Sequence, residues 1–228
     1  LDGFIPQNES SVEDEENAEK KLSELIGLEE VKVVLNQQLA YNRVSALRQD
    51  HGFSNEILNR HLVFSGNPGT GKTIVARLYT KILYNNKIIQ ENKLVEVGRA
   101  DLVGEYVGQT APKVKRAFDE AKGGVLFIDE AYSLIPSSER DFGHEAISAI
   151  IQEMENRRDE VLVIFAGYEE LMAQFIETNP GLSSRISREI KFLDYTIDQL
   201  IAILELMVNK RYYQLTDDCK MVLRQHFS

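Results

Sequence analysis

The chain has 228 residues, 43% hydrophobic and 27% charged, enough apolar material for one sizeable domain or a core with a small appendage. Its net charge of −10 argues against a fold that wraps nucleic acid by charge, because neutralising phosphates takes clustered Lys and Arg. The single cysteine, Cys219, excludes an internal disulfide and fits a reducing, cytoplasmic setting, and no apolar run nears the roughly 18 residues of a membrane span.

Residues 1–21 carry Glu9, Glu13, Asp14, Glu15, Glu16 and Glu19 with few apolar neighbours, the pattern of a solvated acidic arm or linker. At Leu22 the pattern changes. Leu22, Leu25 and Ile26 precede Gly27, and Val31, Val34, Leu35, Leu39 and Val44 then recur at helical spacing up to a loop near His51. A short apolar strand over 61–64 leads into a Gly-rich loop. A helix over 71–84 follows, with Ile74, Val75, Leu78 and Ile82 on one face. Strands are predicted over 94–97, 125–128, 161–166 and 189–192, with helices over 110–122 and 143–157 between them. Pro112 falls in the first turn of its helix, where its missing N–H costs little. Short apolar strands alternating with helices predict an α/β domain over 22–194, a parallel five-stranded sheet sandwiched by helices. Residues 195–228 read as the start of a small helical lid, with Leu200, Ile203, Leu204 and Met207 on one stripe and Thr216 and Asp217 capping a second helix. A start at Leu1 and a stop at Ser228 within that helix read as the ends of a fragment.

Three segments carry chemistry. Gly66-Asn67-Pro68-Gly69-Thr70-Gly71-Lys72-Thr73 satisfies the G-x4-G-K-[ST] pattern between a strand and a helix. Its glycines let backbone N–H groups approach phosphates, and the helix that follows points its positive end at them. Lys72 would bridge the β- and γ-phosphates of ATP and Thr73 would bind Mg²⁺. Next, Val125-Leu126-Phe127-Ile128 ends in Asp129-Glu130, two carboxylates at the C-terminal end of a buried strand, where open α/β sheets bind ligands. Asp129 suits Mg²⁺, directly or through water, and Glu130 would activate an attacking water. A hydrolytic glutamate favours an ATPase over a phosphotransferase. The interval from Lys72 to Asp129 has room for a helix, a strand and another helix, which predicts a strand inserted between the P-loop strand and the acidic strand.

Two further segments leave alternatives open. Asp101–Thr110 is a Gly-flanked loop in which Tyr106 and Val107 either tuck against the sheet or face a polypeptide substrate. Asn179–Arg185 places an Arg in a short loop. It either forms a surface ion pair or stabilises γ-phosphate charge, and Arg188 competes for the second role.

Together these motifs resemble the AAA+ ATPases, and within them the branch of stage V sporulation protein K and the red-type Rubisco activase. The matching segments are Leu25–Leu28, Gly66–Thr73, Arg99–Leu102, Glu105–Lys113, Phe127–Ser133, Asp141–Gly143, Ala166–Tyr168 and Asn179–Arg185, within a resemblance that covers roughly residues 22–215. It implies that Ile26 and Gly27 lie near the adenine and that the loop from Asn67 to Thr73, with Ile74, holds the nucleotide. It implies that Tyr106 and Val107 grip substrate in a central pore and that Arg185 reaches the ATP of a neighbouring subunit in a ring, usually a hexamer. Tyr168 stands where many relatives carry an Asn that holds the attacking water. The implied function is an ATP- and Mg²⁺-dependent remodelling motor with a polypeptide client and no nucleic-acid or membrane partner. The alternative is a nucleotide-switched assembly scaffold. A nucleic-acid ATPase is disfavoured by the acidic balance and the lack of a Lys/Arg stripe.

Overall fold

The computed structural model describes residues 18–50, 60–138 and 141–227, so most of the acidic arm and the loop near His51 lie outside the described residues. Five strands form one parallel sheet: β1 (His61–Gly66), β2 (Leu94–Val97), β3 (Val125–Ile128), β4 (Leu162–Gly167) and β5 (Ile186–Phe192), in the order β2-β3-β4-β1-β5. Parallel strands must be joined by crossovers, and helices fill both faces. The helices α1 (Glu29–Asp50) and α2 (Lys72–Asn85) cover one face, with Val31, Leu35, Val75, Tyr79 and Leu83 in its core. On the other face lie α3 (Arg99–Leu102), α4 (Thr110–Glu120), α5 (Gly143–Asn156), α6 (Glu169–Glu177) and α7 (Pro180–Ser183).

Strand β3 shows why the central strands read as unbroken apolar runs. Leu126 and Ile128 enter one core layer and Val125 and Phe127 the other, so neither face is free to be polar. Each such side chain contributes roughly 1.5–3 kcal/mol by leaving water. Beyond β5, α8 (Ile197–Asn209) and α9 (Asp217–Phe227) pack on each other, with an Arg224–Asp198 ion pair at 2.7 Å and a Lys220–Glu205 pair. Among the described residues no helix is long and apolar enough to cross a membrane.

Several expectations need correction. The strand inserted between the P-loop strand β1 and the acidic strand β3 is β4, whereas the strand supplied by the Lys72–Asp129 interval is β2, at the sheet edge. Helix is already present at residue 18, ahead of the domain start expected at 22, and Ala18 and Leu22 are buried against the α1 and α2 layer. Strand β5 begins at Ile186 rather than 189. It is an edge strand, and its exposed Ser187, Arg188 and Glu189 conceal its start. Ile74 is exposed, although its helical spacing placed it with the buried Val75 and Ile82.

One polar knot ties the edge of the sheet to the loops above it. Arg99, at the start of α3, donates to the Ser133 carbonyl and to the Asp141 carboxylate, each at 2.5 Å. Asp141 also accepts from the N–H groups of Ser137 (2.9 Å) and Gly143 (2.8 Å). Burial by itself raises the Asp141 pKa, but these donors and the Arg99 charge prevail and hold it at about 2. The folded value lies below the unfolded one of about 3.9, so the contribution is complete above that pH and is lost as pH falls towards 2. Asp141→Asn should therefore lower the unfolding free energy at neutral pH by on the order of 2 kcal/mol and flatten its pH dependence between about 4 and 2. Urea titrations at several pH values read both, and an unchanged profile would remove Asp141 from this role.

Candidate functional site

The site is built where β1, β4 and β3 end together. Ser65 is level with Gly167, and Phe165 is level with Ile128, with Glu130 two residues beyond the end of β3. The chain leaves β1 through Gly66, at φ 147°, where a Cβ would lie 2.2 Å from the Phe192 carbonyl oxygen. Only glycine fits so close to β5. The loop enters α2 through Gly71, at φ 96°, with Lys72 as the first helical residue.

A cavity of about 330 Å³ opens over this edge. Pro68, Gly69, Gly71, Lys72, Thr73 and Ile74 line one side, and Asp129, Glu130, Gly167 and Tyr168 line the other. Exposure of Ile74 is thus explained by its place at the cavity. A larger cavity of about 720 Å³ lies at the opposite edge, near Arg60 and Leu162, and contains none of these groups. The Lys72 ammonium donates to the Gly66 and Asn67 carbonyls, both at 2.8 Å, inside the loop it would leave for a phosphate. Burial lowers the Lys72 pKa, and the Asp129 charge opposes that shift. A compact cationic loop facing two exposed carboxylates at strand ends is a donor set that fits a magnesium-bound polyphosphate.

The acidic end of β3 is held by backbone. The Asp129 N–H donates to the Val97 carbonyl at 2.9 Å, and the Glu130 N–H donates to the Asp129 carboxylate at 3.0 Å. Glu130 adopts φ 48°, a left-handed conformation that costs a non-glycine residue roughly 1–2 kcal/mol. A 3₁₀ turn, Ala131–Leu134, follows at once. Strained residues of this kind concentrate at functional sites.

The other expected residues fall in two groups. Tyr106 and Val107 are 68% and 84% exposed, so they do not tuck against the sheet. Their loop has a fixed base, since Lys113 donates to the Ala100 and Val103 carbonyls, both at 2.9 Å, and Gly104 donates to the Thr110 hydroxyl at 3.1 Å. Arg185 lies just before β5, at the opposite edge of the sheet, with its guanidinium on the Gly181 carbonyl and the Glu155 carboxylate, each at 2.9 Å. Strand β1 alone separates the two edges by about 17 Å. Arg188, the competing residue, donates to Gln37 at 3.0 Å.

Ile26, Gly27, Asn67 and Thr70 do not line the cavity. Gly27, at φ 66°, packs beneath Gln199 and Tyr195 of the segment leading into α8. No motif marks this segment's contact with the P-loop. The Tyr195 hydroxyl donates to the Thr70 carbonyl at 3.1 Å, and the Asn67 amide donates to both Asp194 oxygens, at 2.8 and 2.9 Å. The α8–α9 pair is thereby joined to the P-loop. Tyr132 is also new. Its ring packs on Tyr168 with centroids 5.7 Å apart, and its sequence signal was its place in the Phe127–Ser133 segment, two residues after Glu130.

Comparison with known proteins agrees with this geometry. Residues 62–193 match the model of the ATPase family associated with various cellular activities. The chain is 47% identical over 204 residues to the chloroplastic ribulose bisphosphate carboxylase/oxygenase activase of Cyanidioschyzon merolae, spanning 89% of this chain and 70% of that protein. It is 42% identical over 208 residues to stage V sporulation protein K of Bacillus subtilis, spanning 91% of this chain and 65% of that one. The crystal structure of the FIGL-1 AAA domain in complex with ADP shares the fold, with a TM-score of 0.61 at 17% identity over 89% of this chain and 65% of that chain. The matched stretch runs from the P-loop strand to the end of β5 and takes in both the Gly66–Thr73 loop and the paired carboxylates Asp129 and Glu130, and the chain accordingly belongs to the AAA family of ATPases.

Proposed function

We propose that the chain is the motor domain of a ring that uses ATP hydrolysis to remodel a polypeptide client. The observation that carries this reading is the division of its site between two sheet edges. Lys72, Thr73, Asp129, Glu130 and Tyr168 meet at the C-terminal edge, and Arg185 stands at the other. An Arg side chain cannot span the sheet, so Arg185 can act on γ-phosphate charge only at a neighbour's site. Exposed Tyr106 and Val107 on a braced loop are what a pore would present to a chain passing through it. A protein client is in keeping with the name of the Cyanidioschyzon merolae relative, an activase of another enzyme.

In this mechanism Lys72 exchanges its two loop carbonyls for β- and γ-phosphate oxygens, with little cost in position because the loop is already formed. Thr73 and Asp129 would hold Mg²⁺, which would neutralise phosphate charge there. Glu130 accepts the proton of the attacking water, and the Tyr168 hydroxyl donates to that water from the end of β4. The Arg185 guanidinium of an adjacent subunit completes the charge balance. Asp194 and Tyr195 carry changes at the P-loop to α8 and α9.

Mixed assemblies test the shared site. Glu130→Gln alone should keep ATP affinity within about twofold and abolish turnover, and Arg185→Ala alone should lose roughly 10³-fold. Mixing the two variants should restore turnover above either alone, because an intact Glu130 then meets an intact Arg185 from the neighbour. A mixture as inactive as its components contradicts a site shared between subunits. Tyr106→Ala should leave ATP turnover within about twofold while abolishing capture of polypeptide by the Glu130→Gln trap in a pull-down. Undiminished capture would instead support the assembly scaffold.

A further inference from the structure

A loop cradles phosphates only when its backbone N–H groups face them. In a trans peptide the carbonyl and the N–H point to opposite sides, so a group that holds the carbonyl also aims the N–H. No described peptide bond is cis. Side chains hold the carbonyls of the Gly66–Thr73 loop in different ways. Lys72 holds those of Gly66 and Asn67, both at 2.8 Å, and gives them up to meet a phosphate. The Thr70 carbonyl is held from the other side of the loop, by the Tyr195 hydroxyl at 3.1 Å.

Thr70 is buried and does not line the phosphate cavity, whereas Gly71 does. The peptide that joins them therefore crosses the cavity wall, with its carbonyl on the Tyr195 side. Its N–H belongs to Gly71 and points the other way, into the cavity. Tyr195 is not a lining residue either, so an arriving phosphate leaves its bond to Thr70 intact. The Tyr195 ring is seated between Gly27 and Gly71, both in the left-handed region. A Cβ on Gly71 would lie 3.3 Å from the Tyr195 hydroxyl oxygen, and a Cβ on Gly27 would lie 3.3 Å from its Cε1. At the start of the loop, the Asp194 carboxylate holds the Asn67 amide. Burial raises the Tyr195 pKa, so the phenol keeps its proton and remains the donor.

Resting on the phosphate-binding role proposed above for this loop, we infer that Tyr195 is a positioning residue, whose hydroxyl turns the Thr70–Gly71 peptide so that the Gly71 N–H meets a nucleotide phosphate. Gly27 then has a role apart from the base, since it leaves room for the ring. The ring also adjoins the start of α8. There the Thr196 N–H donates to the Gln199 side-chain oxygen at 2.9 Å, and the Gln199 N–H donates to the Thr196 hydroxyl at 3.3 Å. The Gln199 amide itself sits over Gly27, beside the ring. A tilt of α8 would draw the hydroxyl away from Thr70 and free the peptide to turn. Phosphate affinity is in this way tied to the position of the α8–α9 pair through the backbone of the loop.

The test is Tyr195→Phe in the full-length protein, which keeps the ring between Gly27 and Gly71 and removes only the hydroxyl. Calorimetric titrations with ADP, inorganic pyrophosphate and adenosine, each with magnesium, separate the phosphate loop from the base. The expected result is about fivefold weaker binding of ADP and of pyrophosphate, with adenosine binding and the Tm of the ligand-free protein unchanged. Affinities for ADP and pyrophosphate within about twofold of the parent overturn the inference. An equal loss for adenosine also overturns it, because the ring would then belong to the base site. A lower Tm of the ligand-free protein overturns it too, because the hydroxyl would then serve packing. Lys72→Ala is measured in parallel. If Lys72→Ala binds pyrophosphate as the parent does, the phosphate-loop reading itself fails. If Lys72→Ala loses pyrophosphate while Tyr195→Phe keeps it, only the role of Tyr195 fails.

Discussion

Parallel pairing in level register is the constraint on which the site depends. Because β1, β4 and β3 run the same way, with Ser65 opposite Gly167 and Phe165 opposite Ile128, their C-terminal ends form one ledge. Each strand end then contributes a different chemistry within reach of the others: a phosphate loop from β1, a hydroxyl-bearing Tyr168 from β4 and two carboxylates from β3. Shifting β4 by one residue would turn its buried side chains to the opposite layers. The apolar runs of the three central strands, buried on both faces, therefore fix the reactive geometry as well as the core.

The same constraint separates the groups that the proposed mechanism assigns to different subunits. Arg185 precedes β5, which runs parallel to β1, so it is held at the edge away from the phosphate loop. Its ion pair with Glu155 anchors it there at 2.9 Å. A further connection runs along the P-loop edge, where Asp194 and Tyr195 grip Asn67 and Thr70. Contacts of this kind give the loop a direct hold on the α8–α9 pair. On the far side of the acidic strand, Arg99 joins the turn after Glu130 to the helix that leads into the Tyr106 loop. Nucleotide chemistry and the exposed Tyr106 are thus linked through a short, hydrogen-bonded path.

Much of this was legible in the sequence, and the omissions have physical causes. The extents of β2 and β3 and the phosphate loop follow from apolar runs and from glycines that backbone geometry requires. Residues Lys72, Thr73, Asp129 and Glu130 meet as their motifs imply. Strand order was only partly readable: the Lys72–Asp129 interval shows that a strand is present but not where it pairs, and β4 takes the inserted place. Periodicity misassigned Ile74, because the first turn of α2 borders the cavity and an apolar side chain there need not face the core. Edge strand β5 began early for want of apolar signal. Ala18 reads as linker because its acidic neighbours dominate the composition, although its own small side chain is buried. Asp194 and Tyr195 carry no motif signal of their own, since each reaches the phosphate loop from more than a hundred residues away in sequence.

The most direct measurement is a crystal structure of the full-length protein with magnesium, ADP and aluminium fluoride, a mimic of the γ-phosphoryl group in flight. The expected result places the fluoride between Lys72, Glu130 and Tyr168, Mg²⁺ on Thr73 and Asp129, and an Arg185 guanidinium contributed by an adjacent copy. A nucleotide seated away from the Gly66–Thr73 loop, or a complete site made by one chain with its own Arg185, would contradict it.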